Sequence, residues 1–143
     1  MGVGPTIHKL IGDYKGKIKL VVKMFPYQYR DYSRMAAEAL FAANEQGKFW
    51  EMHSALLKNS PLLDRTNLIK YAGDIGLDVK RFTESIDRKK YDGQIEEDIR
   101  LARQMGLYST PVFFINGRKV VGDRPYQFFK KIVDEELQNA RKK

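Results

Sequence analysis

Apolar and polar positions alternate differently along the chain, which divides it into a mixed start, a long helical middle and a mixed end. Ile7, Leu10 and Ile11 fall at i, i+3, i+4 spacing and predict a helix over Thr6–Tyr14. Pro5 suits its first turn, where a missing N–H costs nothing. Ile18–Met24, IKLVVKM, is a nearly continuous apolar run and predicts a strand buried on both faces, interrupted by Lys19 and Lys23. From Asp31 to Met105 the periodicity is helical throughout. It predicts helices over Ser33–Glu45, from Phe49 to Leu57, over Asp64–Ile75, over Val79–Asp87 with Asp78 as N-cap, and over Tyr91–Met105. On the last of these, Tyr91, Ile95, Ile99, Ala102 and Met105 form the apolar stripe. Glu96 and Arg100 are expected to pair on the opposite face.

The pattern turns to strands at Gly106–Val121, GLYSTPVFFINGRKVV. Val112–Ile115 is β-branched and aromatic, and Asn116-Gly117 follows at once. Asn-Gly between apolar runs is a strong hairpin signal, because both turn residues must tolerate positive φ. Val120 and Val121 begin the return strand. Pro111 stands at the mouth of the first strand, where it owes the ladder no hydrogen bond. The Thr110-Pro111 bond can be trans and merely punctuate the strand, or cis and open Ser109-Thr110 as an edge for an extended peptide. Pro125 then opens a closing helix whose buried face holds Phe128, Phe129, Ile132, Val133 and Leu137. The order is helix, strand, five helices, two strands, helix. It implies an α/β body, 1–27 with 106–143, carrying an all-helical insertion at 28–105.

Composition narrows the chemistry. With 143 residues, 43% hydrophobic and 12% aromatic, the chain suits one domain or one domain with an insertion. It contains no cysteine, which excludes disulfides, thiolate metal sites and cysteine nucleophiles within it. The net charge of +8 comes from Lys and Arg scattered along the chain, a pattern of solvated faces, so no nucleic-acid partner is expected. No window is long and apolar enough to insert in a membrane, and no signal peptide is visible. His8 and His53 lie far apart on different predicted helices, so no metal is expected. His53 reads as a half-buried packing residue beside Trp50. Glu45, Glu51 and Asp98 read as helix-surface carboxylates, without an acid–base pair among them. Gly2-Val3-Gly4 is too short for a phosphate loop, and no cofactor is implied.

Two blocks carry a resemblance. Ala42–Leu57, AANEQGKFWEMHSALL, and Gly106–Gly122, GLYSTPVFFINGRKVVG, resemble the insertion-domain block and the cis-proline hairpin of the DsbA-like branch of the thioredoxin superfamily. Phe25-Pro26 and Gly76-Leu77-Asp78 are similar too. The resemblance implies a thioredoxin-like body with a helical insertion and an activity in thiol–disulfide oxidation or isomerisation. It implies unfolded or cysteine-containing proteins as substrates, and a place in the periplasm or cell envelope. It carries over Ser109, Thr110 and Pro111 as the peptide-facing loop and favours the cis bond there.

The family's Cys-x-x-Cys motif and the strand before it have no counterpart here, since Gly2–Ile7 resembles the residues just after that motif. The expectation is therefore a thioredoxin-like body truncated before its first strand and without catalytic residues. Two readings follow: an oxidoreductase whose redox cysteines are absent from this chain, or a redox-inactive module that binds peptides or a partner through the cis-proline loop. His8, near the start of the first helix, is a near-site candidate. Lys23 reads either as a snorkelling edge residue or as a partly buried amine near the site. By the same resemblance the absent strand lies between Ile18–Met24 and Val112–Ile115, so the sheet is incomplete, and a homodimer closing it is expected.

Overall fold

The computed structural model describes residues 2–142 and divides into two compact units, Met1–Val22 with Gly106–Lys143, and Lys23–Met105. In the first unit are α1 (Gly4–Asp13), β1 (Val112–Ile115), β2 (Arg118–Val121) and α7 (Tyr126–Arg141). In the second are α2 (Ser33–Glu45), α3 (Phe49–Asn59), α4 (Arg65–Asp74), α5 (Val79–Asp87) and α6 (Asp92–Gln104). The mixed ends thus come together, and the helical middle forms a body of its own.

β1 and β2 form a two-residue hairpin with Ile115 opposite Arg118. Asn116 and Gly117 both take positive φ, 47° and 88°, as the primed turn demands. The return strand begins at Arg118, two residues before Val120, because this tight turn pairs the residues that flank it. The inward face of the hairpin rests on α7. Phe113 meets Phe129 edge to face at 5.0 Å, and Val120, Phe129, Ile132 and Val133 are buried with Leu10 of α1. Tyr14 donates a hydrogen bond to Asp134, tying the end of α1 to α7.

The predicted strand at Ile18–Met24 is not formed. Among the described residues the sheet has two strands only, and residues 18–24 join no ladder. Strand geometry needs a neighbour to take its backbone bonds, and neither β1 nor β2 supplies one. Burial alternates over residues 17–21, with Ile18 and Leu20 partly covered and Lys17, Lys19 and Val21 exposed, and the alternation ends at Val22, which is exposed as well. That is the period of a half-covered strand, in place of the two-sided burial expected from its composition. Ile18 packs on the same core as Phe113 and Ile115, while Val21 is 64% exposed.

In the helical unit Ala37, Ala39, Ala42 and Ala43 let the buried face of α2 approach its neighbours closely. Phe82, Met52, Leu68 and Ile95 fill the centre, and α2 packs against α3, α4, α5 and α6. Asp64 caps α4 through the N–H groups of Thr66 and Asn67, and Asp78 caps α5 through that of Arg81. His53 is half buried between Phe49 and Trp50, as its spacing predicts.

Two expectations about α6 need correction. Asp98 is not a surface carboxylate. It is 3% exposed and accepts hydrogen bonds from Lys23 Nζ and from the Met24 N–H, each at 2.9 Å. These bonds, with the buried Met24 side chain, bring Lys23–Tyr27 into the helical unit rather than the body. Glu96 does not pair with Arg100 either. It accepts from Arg34 of α2 at 2.6 Å beside Asp92, a cross-helix bond that a single-helix rule does not contain. Truncation of Asp98 to Ala leaves the buried Met24 N–H without its acceptor and releases Lys23. Removing such charge-assisted bonds costs about 1.5–3 kcal/mol, which urea unfolding of the Asp98→Ala variant is expected to show.

Glu45 at the end of α2 accepts from Arg81, Lys90 and the Tyr91 hydroxyl, and so joins α2, α5 and the start of α6. Bonds from Lys90, then Tyr91, then Arg81 hold its carboxyl down at about 2, from an ordinary 4.5. A carboxyl depressed in the folded state stabilises it fully above the unfolded value and loses that contribution as pH falls through the folded one. Glu45→Gln is therefore expected to lower the thermal midpoint at pH 7. The gap from the parent protein closes as pH drops from 4.5 towards about 2. An equal gap at both ends of that range would contradict the assignment.

Candidate functional site

The hairpin and the loop that feeds it hold the candidate site residues Ser109, Thr110 and Pro111. Gly106 takes φ 66°, and the chain then runs through Leu107 and the exposed Tyr108, Ser109 and Thr110 to a half-buried Pro111. The Thr110–Pro111 peptide is cis. The Pro111 carbonyl accepts from the Gly122 N–H at 2.8 Å, which extends the ladder one pair beyond β1.

That bond sets the phase of the strand. In an antiparallel pair, directly opposed residues alternate between those that exchange backbone bonds and those that do not. Pro111 opposite Gly122 is a bonded position. Phe113 opposite Val120 and Ile115 opposite Arg118 are therefore bonded too. The N–H and C=O groups of Val112 and Phe114 point the other way, to the edge of β1 that no described strand pairs. Phe114 is also 43% exposed. A strand edge with two aligned backbone donor–acceptor pairs takes a further strand, and by the resemblance this is the edge that the strand before the Cys-x-x-Cys motif pairs.

The candidate residues separate on this map. Ser109, Thr110 and Pro111 lie together at the head of that edge. His8 lies in the same unit, exposed on α1. Lys23 lies in the helical unit, its Nζ bound to Asp98. That bond, and the attraction behind it, push the amine above its ordinary value. A protonated, ion-paired lysine with a 59% exposed side chain is a tether, not a base or nucleophile. At the start of α1, Val3 occupies the cap position without a side-chain cap bond, and Gly4 and Pro5 fill the first turn. Among the described residues no group of three or more His, Asp or Glu is placed to hold a metal ion.

Val112 and Phe114 had a readable signal. A two-residue Asn-Gly turn fixes which positions face the partner strand, and so which face away. Asp98 had one as well. It sits three residues after Ile95 and four before Ala102, on the apolar stripe itself.

A family model described as thioredoxin matches residues 4–135. The chain belongs to that family. Its fold is that of the DsbA-like thiol–disulfide proteins. The thiol-disulfide exchange protein α-DsbA2 of Wolbachia pipientis superposes with a TM-score of 0.82 at 27% identity, over 93% of this chain and 72% of that one. A thioredoxin-like oxidoreductase from Silicibacter pomeroyi superposes with a TM-score of 0.78 at 26% identity, over 97% of this chain and 79% of that one. Among curated proteins, the Na(+)/H(+) antiporter NhaA 3 of Salinispora tropica is 38% identical over 123 residues, 85% of this chain. The chain spans only 18% of that relative and 17% of the Herminiimonas arsenicoxydans antiporter NhaA, to which it is 34% identical. No helix of the described residues is long and apolar enough to cross a membrane.

Proposed function

We propose that this chain is the peptide-holding part of a DsbA-like thiol–disulfide system, and that as it stands it binds extended protein segments without thiol chemistry. The observation that carries this reading is the exposed Ser109–Thr110 run that leads to the half-buried Pro111 at the head of β1. The ligand class is an unfolded or cysteine-containing protein segment, and the place of action is the periplasm or cell envelope. Both follow from the family resemblance. Ion transport is not part of the reading, since the match to the antiporter covers only 18% of that relative's length.

Main-chain recognition makes a sharp demand on the ligand. A peptide about eight residues long, with Val and Thr at alternate positions, is expected to bind. The same peptide N-methylated at alternate residues loses the donors that face the loop. With a net value of about 0.5–1.5 kcal/mol for each bond, two lost bonds are expected to weaken binding by about fivefold to over a hundredfold. Equal affinity for both peptides in a calorimetric titration contradicts main-chain recognition. A homodimer of the chain is the other partnership that the unpaired edge of β1 suits among the described residues. Light scattering across a concentration series reads this out as twice the mass of one chain.

A further inference from the structure

Within the helical unit, one residue is held at three points along α2. Tyr91, at the cap of α6, donates its N–H to Glu38 Oε2 at 3.0 Å. Its ring stacks on Phe41 with centroids 5.4 Å apart. Its hydroxyl donates to Glu45 Oε2 at 2.6 Å. Glu38, Phe41 and Glu45 are three and four residues apart, so Tyr91 lies along one face of α2. It closes the turn at residues 88–90, where Lys89 takes a positive φ of 49° and the Lys90 N–H donates to the Ser85 carbonyl at 3.1 Å.

The two carboxyls that anchor Tyr91 are unlike. Glu45 also accepts from Arg81 and Lys90. Glu38 is 3% exposed, and its Oε1 is buried without a hydrogen-bond partner. A buried carboxylate with an orphaned oxygen is costly, and a proton on that oxygen removes the charge. Burial accordingly pushes Glu38 above its ordinary 4.5, against the pull of the Tyr91 N–H. Of the charged groups around it, Asp92 of α6 adds to the rise, while Arg34 of α2 and Lys89 of the turn oppose it. The buried face of α5 offers Phe82, Ser85 and Ile86, none of them charged. Other ionisable groups inside the packed helices are engaged elsewhere. His53 of α3 lies between Phe49 and Trp50, Tyr71 of α4 donates to the Leu62 carbonyl, and Asp98 of α6 accepts from Lys23 and Met24.

We propose that this arrangement is a proton-controlled latch on the α5–α6 turn. With Glu38 protonated, the turn lies closed on α2. When Glu38 ionises, the turn opens locally and admits water to Oε1, while Phe41 and Glu45 keep hold of the Tyr91 side chain. The folded state binds this proton more tightly than the unfolded chain does. The closed state therefore loses stability as pH rises from 4.5 through the raised folded value. Glu45, held at about 2, titrates below that window and with the opposite sign.

The test follows the full chain by NMR between about pH 3 and about pH 8. The Glu38 carboxyl carbon is expected to titrate with a midpoint above 4.5. Across the same midpoint the Tyr91 amide is expected to lose about tenfold or more of its exchange protection, corrected for the intrinsic pH dependence of exchange. Glu38→Gln keeps the shape and removes the charge. Its Tyr91 protection is expected to stay level across the range. Its thermal midpoint is expected to match the parent's at about pH 4 and to exceed it at about pH 8. A Glu38 midpoint at or below 4.5 overturns the latch, as does a Gln variant less stable than the parent at the alkaline end. A raised midpoint with unchanged Tyr91 protection overturns it too, and leaves Glu38 a buried proton site without a moving turn.

Discussion

Purified chain added to insulin and dithiothreitol is expected to leave the rate of insulin precipitation at that of the protein-free control. Disulfide exchange requires a thiolate attacking a sulfur through a mixed disulfide. The chain has no cysteine among its 143 residues to supply either partner. No other group near the start of α1 takes over, since Val3, Gly4 and Pro5 are without ionisable side chains and the imidazole of His8 cannot form a mixed disulfide. Lys23, the one amine considered for the site, is held protonated by Asp98. The effect is all or none, against the many-fold acceleration that a thiol-bearing member of the family is expected to give. Saturable turnover by the cysteine-free chain would require chemistry that none of these residues offers.

Phe82→Ala is expected to be the most damaging single truncation in the helical unit. The side chain is fully buried on α5, among the largest to be so, and α5 packs directly against α2 and α4. Emptying such a site removes transfer energy and leaves a cavity, together about 3–5 kcal/mol. Small domains are stable by about 5–15 kcal/mol, so much of the unit's margin goes with one ring. Leu57→Ala on α3 is the control. Its side chain is 61% exposed, and a change within about 0.5 kcal/mol is expected. Urea midpoints for the two variants measure both effects, and comparable losses would place Phe82 outside the core.

How far these features can be read from residues alone depends on how local their cause is. The bounds of α2 and α5 follow from periodicity and from the Asp78 cap, and the structure reproduces them. The hairpin follows from Asn116-Gly117, whose turn type fixes the pairing of Ile115 with Arg118. Ile18–Met24 shows the limit of composition. Its residues favour a strand, but a strand exists only against a neighbour, and that neighbour is a property of the whole sheet. Asp98 and Glu96 show the same limit for charge. A carboxylate on a helix reads as solvated until a distant segment, here Lys23–Met24 or Arg34, arrives to bond it. The loop at Ser109–Pro111 is legible because it adjoins the hairpin in sequence. Its chemistry is backbone chemistry, so no residue type announces it.

The loop at the head of β1 is open to the most direct measurement, residue-resolved amide hydrogen exchange on the chain with and without a saturating extended peptide. The Phe113 and Ile115 amides already face β2 and are expected to exchange slowly in both states. The Ser109 and Thr110 amides lie in the exposed loop and are expected to gain protection when peptide binds. Saturable binding that leaves both without added protection would contradict the peptide-holding loop.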